Sequence, residues 1–212
     1  MEIHAPESPI HSAKDFLVHM GVITCGILIA LGLEGIREVV HNHHLVRETR
    51  ETIHVEMEEN LDNSKDEFKR VSDYRKQIAT LITDLPTLAH DHPEQINQRL
   101  SVIENPQYFF SATSWQTSLS TGALEHMSTD EVTAYAGAAE GIRIYTGLQQ
   151  NVVTEEAATK AFFSAHPHPT PEQQEQGMEH LLLFFHAEQS LEWVGKEMKS
   201  GTERAYRASD RY

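Results

Sequence analysis

The densest set of metal-type ligands in the chain is His41-Asn42-His43-His44, followed one helical turn later by Glu48. On a helix His41 and His44 share a face, Glu48 follows His44, and His43 points elsewhere. Imidazole and carboxylate donors at this spacing suit zinc or another borderline metal, so His41, His44 and Glu48 are the metal candidates. A polar collar at a membrane interface explains the same residues and is the favoured reading. Glu38-Val39-Val40-His41 and Glu51-Thr52-Ile53-His54 both read Glu-x-x-His. Di-iron bundles place two such motifs on different helices. Here both fall on one helix, thirteen residues or about 20 Å apart, too far to share a dinuclear centre within one chain.

Other clusters read as ordinary structure. Glu56, Glu58, Glu59 and Asp62 lack the ligand order and turn glycine of a calcium loop and are expected to form a solvated acidic face. His90, His92, His166 and His168 are expected in loops, read as ordinary loop polarity rather than as pH sensors. Tyr108, Phe109, Phe110 and Trp115 form an aromatic knot, read as core rather than ligand pocket. No phosphate-cradling glycine loop, nucleophile elbow or zinc-protease helix occurs. No catalytic residue can be named and no cofactor is expected, and the alternative role is a metal-binding protein or metal-dependent enzyme centred on His41 and His44. The net charge of −15 gives no footprint for nucleic-acid phosphates, so no nucleic-acid partner is expected. A single cysteine, Cys25, excludes an intrachain disulfide and a cysteine zinc site.

The elements that carry these residues follow from hydropathy. Phe16 to Leu33 is apolar apart from His19 and spans about 27 Å as a helix, close to the hydrocarbon thickness of a bilayer. Ser12-Ala13-Lys14-Asp15 reads as the capping box that starts it. A cleaved export signal would have a shorter apolar run and a basic leader. A lipoprotein anchor at Cys25 would make the apolar residues after it redundant. A buried core helix would keep a polar stripe. Residues 16–36 are thus expected to cross the lipid bilayer. Gly21, Cys25 and Gly32 fall along one side and Gly26 and Ala30 form a second small pair, a pattern that allows a homo-oligomer.

The expected fold is all-α: an N-terminal transmembrane helix continues into the long helix of an antiparallel, four-helix-like bundle. Residues 1–15 form a polar N-terminal segment, 37–201 the bundle and 202–212 a tail. Met57, Leu61, Phe68, Val71, Ile78, Ile82 and Leu85 mark the seam of the first helix, with Ser64 and Arg75 filling two positions. Asp66–Arg70 and Arg47–Glu51 are expected as charge pairs on its wet side. Leu85-Pro86 ends it. His92-Pro93-Glu94 opens a short helix with Ile96, Leu100 and Ile103 inward, which Asn105-Pro106 stops. Gly122 ends a second short helix. Ser128–Glu131 caps a long helix with Val132, Tyr135, Ala139, Ile142 and Leu148 inward. Thr170–Gln173 caps the last, with Leu181, Phe184, Ala187, Leu191, Val194 and Met198 inward and Gly201 at its end.

The order Gly26-Ile27-Leu28-Ile29-Ala30-Leu31, followed by a charged helix with Glu58-Glu59-Asn60-Leu61, resembles an uncharacterised group of small bacterial single-pass membrane proteins. The run from Trp115 to Tyr145, with Ser-Thr-Gly-Ala-Leu before a capped helix, fits the same group. The resemblance covers about a third of the chain and implies a membrane anchor, a helical domain and no known activity. The basic leader of the group is represented here by Lys14 alone. The implied location is the bacterial inner membrane. Arg37, Arg47 and Arg50 favour a cytoplasmic bundle, whereas the uncleaved anchor and the resemblance favour an extracytoplasmic one, which is the expectation retained. The expected role is binding, as a scaffold or sensor-like module.

Overall fold

The computed structural model describes residues 13–104 and 108–210. Ser12, at the head of the first capping box, and Asn105-Pro106 lie outside them. The described residues form five α-helices and no strand: α1 (Ala13–Asp91), α2 (Glu94–Ser101), α3 (Thr113–Thr121), α4 (Thr129–Ala165) and α5 (Pro171–Ser209), with a 3-10 turn at Ala123–His126. The chain divides into two compact units, Met1–Arg47 and Glu48–Tyr212.

The described part of the first unit is the leading portion of α1. Its apolar side chains have no protein to pack against. From Phe16 to Leu33 the large ones are between 47% (Met20) and 68% (Val22) exposed. This is the one described helix long and apolar enough to cross a membrane, and none of its apolar window is buried. A core helix of a water-soluble domain would bury that window.

The second unit is an up-down-up-down bundle. Arg50 meets Glu131 and Glu67 meets Tyr145, so α1 and α4 run the same way. His54 meets Ser209 and Arg75 meets Glu192, so α5 runs opposite to α1. Between α1 and α4, the second leg descends through α2, an irregular stretch and α3: Arg99 bonds Asp84, Ser111 bonds Asn60, and Ser114 bonds the Thr52 carbonyl. The capped starts of α4 and α5 form as the sequence implies. Ser128 and Glu131 close a reciprocal capping box on α4, as Thr170 and Gln173 do on α5. Gly122, at φ 75°, takes the left-handed conformation that ends α3 at no steric cost. Ile96, Leu100 and Ile103 are all buried.

Four expectations are corrected. Pro86 does not end α1, which continues to Asp91 with the proline inside it. An interior proline costs ~3 kcal/mol, and Leu85 and Leu88, buried on either side, contribute about 1.5–3 kcal/mol each. Gly201 does not end α5, and residues 202–209 are not a tail: Thr202, Ala205 and Ser209 are buried, and Gly201 itself packs beside Ala138. The seam of α1 departs in part: Met57, Ser64, Val71, Ile78 and Leu85 are buried as expected, but Leu61, Phe68, Ile82 and Arg75 are only partly buried, and Asn60 and Glu67 are buried between Met57 and Val71. Arg70, expected on the wet side with Asp66, turns inward to Glu67.

Candidate functional site

His41 and His44 belong to the first unit and Glu48 to the second, and all three are exposed. Among the described residues, no group of three or more His, Cys, Asp or Glu side chains converges as a metal site would require. Of the two Glu-x-x-His motifs, the second is spent on packing. The His54 ring stacks on Tyr206 at 4.4 Å, and its Nδ1 lies 3.0 Å from Ser209 Oγ, fixing the end of α5 against α1.

The acidic cluster divides. Glu56 is not solvated; it is 8% exposed and caps α3. Its carboxylate accepts from the Ser111 hydroxyl, from the Thr113 N–H at 2.8 Å and from the Ser114 N–H at 3.1 Å. A carboxylate at a helix N-terminus satisfies orphan donors and complements the helix dipole.

The chemistry that the bundle does bring together lies at mid-height, in seam positions filled by polar residues. Glu67 on α1 is fully buried. One carboxylate oxygen accepts from the Tyr145 hydroxyl at 2.9 Å and from Gln149 Nε2 at 3.1 Å, both on α4. The other accepts from Arg70 Nε at 3.0 Å and from its Nη2. The Arg70 guanidinium is covered by the rings of Tyr74 at 5.4 Å and Tyr108 at 5.6 Å. Phe110 and Phe68 meet the Tyr145 ring edge-on at 5.2 and 5.9 Å. Glu188, on α5, is also fully buried. Burial pushes the Tyr145 phenol far above its ordinary range, the negative charge of Glu67 and its hydrogen bond add to this, and Arg70 opposes it. Tyr145 is therefore a fixed hydrogen-bond donor and not a base. With its four bonds made inside the core, Glu67 ties α1 to α4.

The sequence reading missed Glu67, Gln149 and Glu188 because it ranked seam positions by apolarity. The signal was present: 60-64-67-71, 145-149-152 and 184-188-191 keep the four-three spacing through polar residues.

A second ionic contact ties α1 to the start of α4. Arg50 grips Glu131 with two bonds, Nε at 2.7 Å and Nη2 at 3.0 Å, and Tyr135 adds a third at 3.2 Å. Burial alone raises the Glu131 carboxyl, but the Arg50 guanidinium, the Ser128 N–H and the Tyr135 hydroxyl together outweigh it, and the group sits below its ordinary 4.5. A carboxylate depressed in the folded state stabilises above its unfolded pKa and loses that contribution as pH falls through the folded one. Stability is thus expected to decline below about pH 4.5 through this contact. Arg50→Gln is expected to flatten that part of the stability–pH curve, read by urea unfolding at several pH values; an unchanged slope would remove Glu131 from the account.

Beside the polar layer, an open groove of about 490 Å³ runs between α3 and α4, lined chiefly by Phe110, Trp115, Leu119 and Ile142. No family model, no curated protein and no solved structure matches the chain.

Proposed function

We propose that the protein is a membrane-anchored helical bundle that acts by binding, as a scaffold or sensor-like module. The observation that carries this reading is the apolar stretch from Phe16 to Leu33, entirely unburied in the fold. Apolar area of that extent is stable only against lipid or another protein. The buried polar groups support a structural rather than catalytic reading, since Glu67, Tyr145 and Glu56 are each engaged in holding elements together. The anchor segment also supports self-association. Cys25 is exposed, and a Cβ added at Gly21, Gly26 or Gly32 would meet nothing within 4 Å. Gly21, Cys25 and Gly32 leave one shallow face for a second helix, and Gly26 with Ala30 a second. The bundle is placed outside the bacterial inner membrane by this reading, in line with the resemblance to single-pass proteins.

Oxidative crosslinking in native membranes tests the reading, because Cys25 is the sole cysteine. A disulfide-linked dimer abolished by Gly21→Leu is expected. A strictly monomeric chain contradicts self-association, and a C-terminal reporter active only in the cytoplasm contradicts the orientation.

A further inference from the structure

We propose that residues 108–112 form a strap that opens while the rest of the bundle stays folded, uncovering the Glu67–Arg70–Tyr145 layer. The inference is independent of the membrane reading, because every group in it lies in the second unit. Three of the four legs at this height are continuous helix; the second leg is not. A non-helical backbone inside a bundle must find its hydrogen bonds elsewhere. Among the described residues, 108–111 make no backbone–backbone bond, and side chains of α1 and α4 supply what the ladder does not. Asn60 takes both sides of Ser111, accepting from its N–H at 2.9 Å and donating to its carbonyl at 2.7 Å. Gln149 donates to the Tyr108 carbonyl at 3.3 Å and Asn63 to the Phe109 carbonyl at 3.4 Å.

These bonds explain why Asn60 and Gln149 occupy seam positions where an apolar residue would pack better. They also make the strap separable. The α2 ladder does not depend on it, the α3 ladder uses only the Ala112 carbonyl, and Phe109 is 83% exposed and contributes little burial. Two rings from the strap cover the ionic layer: Phe110 over Tyr145 and Tyr108 over Arg70. Phe110 and Ala112 also form part of the wall of the groove beside Trp115 and Ile142. Opening therefore widens that groove and exposes a guanidinium–carboxylate pair and a phenol at its floor. A partner that engages those groups binds only the open state and shifts the population toward it.

Hydrogen exchange on the full chain in detergent micelles, read by mass spectrometry, tests this. In the wild type, amides of 109–112 exchange through a local opening, well ahead of those of Tyr145–Val152. Asn60→Ala removes two bonds to the strap and speeds its exchange about thirty-fold. Ile78→Val, buried but remote from the strap, speeds exchange along α4 and α5 about five-fold and leaves the strap unchanged. Strap amides as slow as Tyr145–Val152, strap exchange unmoved by Asn60→Ala, or strap exchange rising with the helices in Ile78→Val each overturn the proposal.

Discussion

Replacing Glu67 with alanine is expected to lower the unfolding free energy of the bundle by about 3–5 kcal/mol, the cost of leaving one member of a buried ion pair behind. Glu67 is wholly inaccessible, and its partner Arg70 keeps only 13% of its side chain exposed. The alanine variant removes the acceptor shared by Arg70, the Tyr145 hydroxyl and one Gln149 donor. Hydrogen bonds to a charged group are worth ~1.5–3 kcal/mol each, and an unpaired buried donor adds its desolvation cost. Removing the whole constellation is a different experiment. Glu67→Met with Arg70→Met and Tyr145→Phe exchanges polar for apolar groups and is expected to recover most of the loss, because a buried ion pair contributes little beyond an apolar replacement. Urea unfolding of the full chain in micelles, followed by far-UV circular dichroism, reads both. A Glu67→Ala midpoint equal to wild type would mean that the layer is not closed to water.

Gly195→Ala is expected to destabilise by about 1–3 kcal/mol through overpacking, although alanine is the better helix former by ~1 kcal/mol. Steric conflict decides the sign. A Cβ at residue 195 would sit 2.7 Å from Phe68 Cε1 and 3.1 Å from Tyr145 Cε2. Phe68 is partly buried and can shift, but Tyr145 is fully buried and held by Glu67, so its ring has nowhere to go. Gly147→Ala provides the opposite case. Gly147 is exposed, also within a helix, and an added Cβ meets nothing within 4 Å. There the propensity gain of ~1 kcal/mol stands alone, and a rise in stability is expected. The same urea titration reads both variants, and a destabilised Gly147→Ala together with a neutral Gly195→Ala would reverse the packing argument.

The glycine and the carboxylate illustrate what the sequence shows and what it hides. Capping boxes at Ser128 and Thr170, the left-handed Gly122 and the inward faces of α2 and α5 are local patterns, and local physics decides them. Proline was a local signal too, but Pro86 is outweighed by buried leucines that only the tertiary packing supplies. Glu67 and Glu188 could not be ranked as core from their type, because a carboxylate is buried only when partners from other helices meet it. The partners of Glu67 lie about eighty residues away in sequence, at Tyr145 and Gln149. Glu56 was hidden for the same reason, since its three donors belong to the start of α3. His41 and His44 have metal-ligand types and spacing, and a site built on them would need its third and fourth ligands from elsewhere than their shared helix face.

The claim on which the function rests is that lipid solvates the segment from Phe16 to Leu33. Alkaline extraction of membranes from cells making the full chain tests it most directly, because high pH strips peripheral proteins and leaves spanning helices in place. Retention in the pellet, with release by detergent alone, is the predicted result. Recovery of the intact chain in the alkaline supernatant would contradict the anchor and, with it, the reading of the bundle as a membrane-bound binding module.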